Sequence, residues 1–366
     1  MPSPASAPPA SGSPAPARRG EFLLVTCQGG AEAALVARQE AVLPGLRKGV
    51  WRRGVVTFRL PSEFDPPDDF FPDLVFGRTC LRSLGQVTGA DVAARVAAVV
   101  ALAGTGPWDD VHVWPRAPSG EPAAAPPLDE VRRLLRAACG LAAEPVVAAP
   151  GSLVLDCLLD GEDRWWVGWH RTGSPASVWP GGIYPQPLPA GKASRAWLKL
   201  DEAIATFALE FGPGQRAVEL GAAPGGASQR LLEAGLSVVG VDPAVVDAAV
   251  AAHPRFRQWR MRARDVKRQA FRPFDWIVCD MNIDPVSTME SLGRILTAPG
   301  VRPRGIVATL KLPDWSRAEG LAGWLAEFRS WGFQPAARQL STGGREVCVV
   351  GLRSPAGRRA TRPPAP

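Results

Sequence analysis

In the second half of the chain, runs of apolar residues alternate with segments of helical periodicity, which predicts strands separated by helices. Strands are predicted at residues 217–220, 236–241, 256–261, 276–281 and 306–310, and helices at 226–234, 244–252 and 315–331. The last helix has a buried face with the spacing i, i+3, i+4, i+7, formed by Leu321, Trp324, Leu325 and Phe328. Two more strands, near 336–340 and 346–352, have no helix between them and predict an antiparallel hairpin. This order is typical of the α/β class, a doubly wound parallel sheet with an antiparallel edge.

The first half of the chain has a less regular pattern, which predicts an α+β region. Strands are predicted at residues 22–26, 50–60 and 111–114, and helices at 31–43, 90–102 and 128–139. A hairpin is predicted from 152–159 and 164–170, because Asp160 and Gly161 between them favour a tight turn. Alternation along its second strand places Trp165 and Trp169 on one face, which favours burial over stacking on bases.

Proline, glycine and serine divide the chain into regions. Residues 1–19 contain six prolines and four serines, and residues 355–366 are basic and rich in proline, so both are predicted to be disordered tails. Residues 171–193 contain five prolines and four glycines and are predicted to form an extended linker. An N-terminal α+β region at 20–170 and a Rossmann-like domain at 194–354 are the predicted folded parts.

Composition narrows the class of protein. The 366 residues are 46% hydrophobic and 21% charged, which is typical of a globular chain. No apolar stretch is long enough to span a membrane, and the start does not resemble a secretory signal. Six cysteines without a CxxC pair and only three histidines predict no structural zinc site or other metal, and they fit a reducing cytoplasm. The net charge of +7 favours a polyanionic partner such as nucleic acid. We expect a cytoplasmic monomer.

A glycine-rich turn marks the predicted cofactor site. The sequence AVELGAAPGG lies between the first strand of the second half and its helix, where backbone N–H groups attract an anion. The candidate residues in this turn are Ala223, Pro224, Gly225 and Gly226. Asp242 ends the next strand, where a carboxylate receives ribose hydroxyls in doubly wound folds, and Asp265 follows the third strand within reach of an adenine. The turn is not G-x-G-x-x-G and suits a carboxylate better than a pyrophosphate, which predicts S-adenosylmethionine as the cofactor.

The lysines are the second chemical signal. Only five of the 42 lysine and arginine residues are lysine, so each lysine is a candidate for a role that arginine cannot fill. Lys311 follows the strand at 306–310, and Asp280 belongs to the neighbouring predicted strand, so the two are expected in one crevice. Lys199 precedes the first strand of the second half. A ribose hydroxyl must lose its proton during methylation, and lysine can accept one if its neighbours and burial lower its pKa, whereas arginine cannot. The alternative interpretation of Lys199 is a charge on a surface helix, and that of Lys311 is a salt bridge to Asp280.

Five short segments resemble a known family. SRAWLKLDE, VELGAAPGG, WIVCDM, ATLKLPD and REVCVVG are similar in order and position to motifs of the FtsJ-like RNA ribose 2′-O-methyltransferases. The resemblance implies a catalytic Lys-Asp-Lys-Glu tetrad at Lys199, Asp280, Lys311 and Glu346. On the basis of this resemblance, Ser194 and Asp280 are also predicted to bind the cofactor. Ser194 is the first residue of SRAWLKLDE.

A finer resemblance is to the bacterial large-subunit ribosomal RNA methyltransferase M group, through LKLP, CDM and ARQLSTGGREV, and more weakly through LVFGRTCLRS. This implies an N-terminal THUMP-like RNA-binding domain and 2′-O-methylation of a cytidine in 23S ribosomal RNA or its precursor. The chain departs from the family at Ala227, where tryptophan is usual, and at Arg345, which leaves the register of Glu346 open.

Other functions remain open at the level of sequence. Another RNA, such as transfer RNA, is an alternative substrate, and an RNA-binding assembly factor that keeps the fold without catalysis is a different class. A small-molecule methyltransferase is disfavoured because no histidine lies near the crevice motifs, and a dinucleotide oxidoreductase is disfavoured by the glycine spacing. Arg47, Lys48, Arg52 and Arg53 form a basic cluster that either binds phosphates or is a solvated face.

Overall fold

The computed structural model describes residues 21–353, except 65, 69, 71, 73, 117–127, 145–146 and 162. The predicted tails at 1–19 and 355–366 lie outside the described residues. Two seven-stranded sheets make up the described part of the chain. None of its helices is long and apolar enough to cross a membrane.

The first sheet is mixed. Its strands are β1 (Phe22–Cys27), β2 (Arg47–Arg52), β3 (Val55–Arg59), β4 (Gly77–Thr88), β5 (Asp110–Pro115), β6 (Leu153–Leu159) and β7 (Arg164–Arg171). Its helices are α1 (Glu32–Val42), α2 (Val92–Ala103) and α3 (Leu128–Ala138). The strands are ordered β2-β3-β1-β4-β7-β6-β5, and only the β5–β6 pair is parallel.

The structure differs from the sequence predictions at two strands of this sheet. Residues 50–60 are not one strand: β2 and β3 form a hairpin that turns at Arg53 and Gly54. The long strand β4 was not predicted, because charged residues such as Arg82 interrupt its alternation. Arg82 is buried, and its guanidinium donates to the carbonyl oxygens of Pro66 and Pro67.

The predicted hairpin of β6 and β7 is confirmed, and so is the burial of its tryptophans. Trp165 and Trp169 are fully buried, as the alternation predicts. Trp166 on the opposite face is also buried, packed with Trp114 and Leu158, so none of the three is available to stack on a base.

The chain between the two sheets is not the extended linker that its composition predicts. It contains two short 3-10 turns, Pro175–Val178 and Pro180–Gly182. Ser177 and Trp179 are buried in this segment, and Trp179 packs edge-on against Tyr184. Its first half therefore packs on the folded protein.

The second sheet has the predicted α/β order. Its strands are β8 (Arg216–Leu220), β9 (Ser237–Val241), β10 (Phe256–Trp259), β11 (Trp276–Cys279), β12 (Gly305–Lys311), β13 (Gln334–Arg338) and β14 (Glu346–Leu352). Its helices are α4 (Ala196–Phe207), α5 (Gly226–Glu233), α6 (Ala248–Ala251), α7 (Pro285–Leu296) and α8 (Leu321–Ser330). The strands are ordered β10-β9-β8-β11-β12-β14-β13. All pairs are parallel except those of β14, which confirms the antiparallel edge.

The helices of this sheet differ from prediction in four places. Helices α4 and α7 were not predicted, although Asp284 caps α7 through the Ser287 N–H and Pro285 opens it. Helix α6 begins later than expected because Asp247 accepts the Ala249 N–H there. The first third of the predicted helix at 315–331 is a 3-10 helix, Trp315–Gly320. The predicted buried face of α8 is confirmed at all four positions.

One hydrophobic core joins the two sheets. It contains Leu23 from β1 and Phe76, which directly precedes β4, together with Leu310 and Phe328 from the second half of the chain. Phe76 packs edge-on against Trp315, with ring centroids 6.5 Å apart. Backbone bonds cross the same interface, since the Gln339 N–H donates to the carbonyl oxygen of Val75 at 2.7 Å.

We predict that Phe76→Ala destabilises the whole chain rather than one sheet. Removing a buried phenylalanine from a packed core costs about 3–5 kcal/mol, from lost burial and the cavity that remains. Equilibrium denaturation followed by circular dichroism measures the free energy of unfolding. Leu102→Ala, at an exposed position of α2, is the control and should change it by about 0.5 kcal/mol or less. Two separate unfolding transitions, of which Phe76→Ala shifts only one, would contradict a shared core.

Candidate active site

The carboxyl ends of β8 and β11 meet where the strand order of the second sheet reverses. From β8 the chain continues outward to β9 and β10, and from β11 it continues in the other direction to β12. Doubly wound sheets bind their ligands in the crevice at such a switch point. Gly221 follows β8 here with a φ of +81°, and a Cβ on it would lie 2.9 Å from the Met281 backbone. Only glycine permits this approach of the two strand ends.

A cavity of about 360 Å³ opens at this point. Its wall combines the turn after β8, the start of α4, the residue that follows β11 and the loop before β14. Four of the predicted cofactor-binding residues line it: Ser194, Ala223, Pro224 and Asp280. Lys199 and Glu346 line it as well, so the predicted cofactor and catalytic residues share one site.

Asp242 lies beside the glycine-rich turn and orders it. One carboxylate oxygen accepts the Ala223 N–H at 3.1 Å, and the other accepts the Ala244 N–H at 2.8 Å. Each oxygen has a second lone pair, so the side chain can still accept two hydroxyl groups. Asp242 does not itself line the cavity.

The remaining predicted cofactor residues have different surroundings. Gly225 is the left-handed residue before α5, and a Cβ on Gly226 would meet the Ser194 hydroxyl at 2.3 Å, so Gly226 is needed for packing against the start of α4. Asp265 lies in a 3-10 turn beyond β10, and its side chain is 58% exposed. Neither glycine nor Asp265 lines the cavity.

The four predicted catalytic residues form a closed ring of alternating charge. Lys199 Nζ lies 2.5 Å from Asp280 Oδ2 and 3.2 Å from Glu346 Oε1. Lys311 Nζ lies 2.7 Å from Asp280 Oδ1 and 2.6 Å from Glu346 Oε2. Each lysine therefore contacts both carboxylates, and the four side chains are only 10–23% exposed.

The second sheet and α4 position the ring. Asp280 directly follows β11, Lys311 ends β12, and Glu346 begins β14 directly opposite Lys311 in the antiparallel ladder. Arg345 faces elsewhere, since its Nε donates to the Leu312 carbonyl oxygen at 2.8 Å. The register that the sequence left open thus places Glu346 in the ring. Lys199 reaches the ring from the first turns of α4.

The charges of the ring stabilise one another. Burial alone would raise the pKa of Asp280, but Lys199 and Lys311 outweigh it and hold that pKa below its ordinary value. Burial alone would lower the pKa of Lys311, but Asp280 and Glu346 together raise it. The expectation that its neighbours lower the pKa of Lys311 is wrong for the protein without ligands, in which they raise it.

Sequence reasoning missed Glu202, which positions Glu346. This residue is buried on α4, three positions after Lys199. Its carboxylate accepts the backbone N–H groups of Ser341 and Thr342 at 2.7 and 2.8 Å, and the Thr342 hydroxyl at 2.6 Å. The loop before β14 is thereby tied to the helix that carries Lys199. The final Glu of SRAWLKLDE was the only signal of this in the sequence.

Glu219 was also missed, although it lies within VELGAAPGG. It lines the floor of the cavity, is 1% exposed, and accepts a hydrogen bond from the Ser228 hydroxyl. Burial raises the pKa of Glu219 to about 8, against the effect of that bond. Its carboxyl group is therefore mainly neutral at pH 7.

The residues at this site suit S-adenosylmethionine. The cavity lies within the usual size range of about 300–1,000 Å³ for small-ligand pockets, and it lies at the switch point. The N-terminus of α5 offers N–H groups to a carboxylate, and Asp242 retains free lone pairs for ribose hydroxyls.

Comparison of the sequence with known proteins also indicates a methyltransferase. A family model described as FtsJ-like methyltransferase matches residues 193–311. Ribosomal RNA large subunit methyltransferase M of Xylella fastidiosa (strain 9a5c) is 30% identical over 89% of this chain and 97% of its own length. The protein of that name from Laribacter hongkongensis is 35% identical over 45% of each chain, so this alignment spans about half of the relative. Among solved structures, TrmN from Thermus thermophilus aligns with 90% of this chain and 99% of its own, at 16% identity and a TM-score of 0.34.

We predict that the Glu219→Gln variant becomes more stable relative to wild type as pH rises. A carboxyl with a folded pKa near 8 and an unfolded pKa near 4.5 stays neutral in the fold while it ionises in the unfolded chain. Wild type therefore loses stability between these values, and the neutral glutamine does not. The variant should gain on the order of 3 kcal/mol relative to wild type between pH 5 and pH 8. Denaturant titrations at both pH values measure this, and a pH-independent difference would contradict a neutral Glu219.

Proposed function

Because the chain belongs to the FtsJ-like methyltransferase family, we propose that it uses S-adenosylmethionine to methylate a ribose 2′-hydroxyl of a cytidine in 23S ribosomal RNA or its precursor. The observation that carries the proposal is the closed ring of Lys199, Asp280, Lys311 and Glu346 beside the cavity. The names of the relatives, including one that aligns along nearly its whole length, support ribosomal RNA as the substrate.

The cofactor would lie between the turn after β8 and the residue that follows β11. The N-terminus of α5 would receive the carboxylate. Asp242 and Asp265 do not line the cavity, so the cofactor would extend beyond it for Asp242 to accept ribose hydroxyls and for Asp265 to approach the adenine. When bound, the cofactor supplies an electrophilic methyl group on a sulfonium. The protein then has to orient one hydroxyl of the RNA and remove its proton.

Lys311 is the general base in this proposal. Asp280 and Glu346 fix its ammonium group from two sides, and Lys199 shares the same carboxylates. The two carboxylates keep Lys311 protonated in the free protein. Any cation that entered this cavity would compete with Lys311 for Asp280 and lower the Lys311 pKa, which would favour the neutral amine that accepts the hydroxyl proton.

The N-terminal region, which we propose to be THUMP-like, would dock the RNA. The β2–β3 hairpin exposes Trp51, with Lys48 Nζ 4.8 Å from its ring centroid. Arg47 and Arg53 are exposed on the same hairpin, whereas Arg52 is engaged by Asp160 at 3.1 Å. An exposed indole between cationic side chains can stack on a base while its neighbours bind phosphates.

A map of ribose methylation in total RNA, with and without the gene, tests the substrate. One missing 2′-O-methyl cytidine in 23S RNA is the expected result. If the missing site lies in transfer RNA instead, transfer RNA is the substrate. An unchanged map would favour the non-catalytic assembly factor. We further propose that the protein acts in the cytoplasm as a monomer.

We predict that Lys311→Arg lowers methyl transfer at least about a hundredfold. Arginine keeps the positive charge and most of the reach, but its guanidinium does not give up a proton at workable pH. Single-turnover transfer of labelled methyl to RNA measures the rate, and calorimetry on the same preparation should show nearly normal cofactor binding.

Lys267→Arg is the matched control, because Lys267 is an exposed lysine outside the ring. It should leave the rate unchanged. A Lys311→Arg rate within tenfold of wild type would rule out the general base and leave Lys311 as an ion-pair partner.

We predict that the double variant Lys48→Ala, Trp51→Ala weakens RNA binding at least about tenfold, because stacking on an aromatic contributes about 1–3 kcal/mol per base. Loss of one phosphate contact should also lower the slope of log affinity against log salt by about 0.7. Filter binding over a salt series measures both quantities. Arg329→Ala, at an exposed position of α8, is the control, and equal effects of the two variants would exclude the hairpin as a docking surface.

A further inference from the structure

Three buried side chains converge on neighbouring strands of the first sheet, away from the cavity. His112 lies on β5, Asp156 on β6 and His170 on β7. His112 is directly opposite Asp156 in the parallel β5–β6 ladder. One ligand atom of each lies within 4.8 Å of the others, and the three side chains are 1–5% exposed.

His112 lacks the partners that a buried imidazole needs. Neither of its ring nitrogens has a hydrogen-bond partner among the residues that the structure describes. Its Nδ1 lies 3.9 Å from Asp156 Oδ1, an oxygen that likewise has no hydrogen bond in the described part of the chain. Unpaired buried polar atoms are costly, so a group that binds them would offset a real penalty.

His170 is already oriented as a metal-binding histidine is. Its Nε2 lies 2.9 Å from the carbonyl oxygen of Ser177, and its Nδ1 lies 2.5 Å from Asp156 Oδ2. Histidine ligands usually donate one ring N–H to a carbonyl or carboxylate, which fixes the tautomer and turns the other nitrogen toward the metal. Here Ser177 serves as that acceptor and leaves Nδ1 for the site.

We propose that His112, Asp156 and His170 bind a divalent first-row transition metal ion, for which Zn²⁺ is the best match to the two nitrogens and one carboxylate. This donor set is found in zinc sites and leaves one position of a tetrahedron for a water molecule. Binding would displace the proton that His170 shares with Asp156.

The electrostatic surroundings permit a cation. Arg136 is a positive charge near His112, and Asp110 pairs with it directly. Asp156 supplies the one negative charge of the site.

The site would be structural rather than catalytic. It would join β5, β6 and β7, and through Ser177 it would also hold the 3-10 turn Pro175–Val178, which packs against α4. Since the ligands are buried, the ion would enter as the chain folds, and its binding would add to folding stability.

The test uses the full chain without an affinity tag, because a histidine tag itself binds metal. The protein is unfolded in denaturant with a chelator, refolded with or without one equivalent of Zn²⁺, and desalted. Elemental analysis should find about one metal ion per chain in the zinc sample. The thermal midpoint of that sample should be at least about 5 °C above the metal-free one.

Two variants separate a metal ligand from an unpaired histidine. His112→Phe keeps the size of the ring but removes both nitrogens, so it should retain less than a tenth of an equivalent of zinc and lose the zinc-dependent shift. His253→Phe, at a histidine outside the cluster, should keep both. Wild type that refolds without zinc uptake or a zinc-dependent shift, together with a His112→Phe variant more stable than wild type, would overturn the proposal. The cluster would then be an ion pair of His170 and Asp156 beside a neutral His112.

Discussion

The ring of alternating charge at the switch point is the interaction on which the rest of the site depends. Two ammonium groups and two carboxylates share a partly buried volume, and each lysine contacts both carboxylates. Such an arrangement is tolerable only if all four members are present, because removing one leaves an uncompensated charge out of water. It also demands a strict register: a slip of one residue between β12 and β14 would move Glu346 to the other face of the sheet.

Several residues outside the ring help to position its four members. The buried carboxylate of Glu202 ties the loop before β14 to α4, so the helix that supplies Lys199 also fixes the approach of Glu346. Gly221 lets the end of β8 approach the backbone beside Asp280. Leu310 of β12 packs in the core that both sheets share. The same ring opposes catalysis in one respect, because the carboxylates that position Lys311 also raise its pKa and keep it protonated.

The sequence predicted the second sheet and the ring well, because both depend on local patterns. Strands buried on both faces read as apolar runs, and the four ring residues lie at strand ends or in a short segment with family resemblance. Helix α4 was not predicted as an element because its segment was interpreted mainly through its lysine, although Trp197, Leu200 and Ala203 are buried along one face. The packed turns after β7 were missed because proline and glycine content indicates flexibility, whereas contacts such as that of Trp179 with Tyr184 depend on tertiary structure. The cluster of His112, Asp156 and His170 was invisible for a similar reason: its members are far apart in sequence, and only strand pairing brings them together.

The central claim is that Lys311 must lose a proton before it can receive one from the ribose. The most direct test is the pH dependence of single-turnover methyl transfer at saturating cofactor and RNA. The neighbouring carboxylates raise the Lys311 pKa in the protein without ligands. At any pH below the pKa that Lys311 has in the complex, its neutral fraction should increase about tenfold per pH unit. The logarithm of the rate should therefore rise with a slope near one from about pH 6.5 up to that pKa. A rate that stays flat over this range, with binding and folding intact, would contradict it.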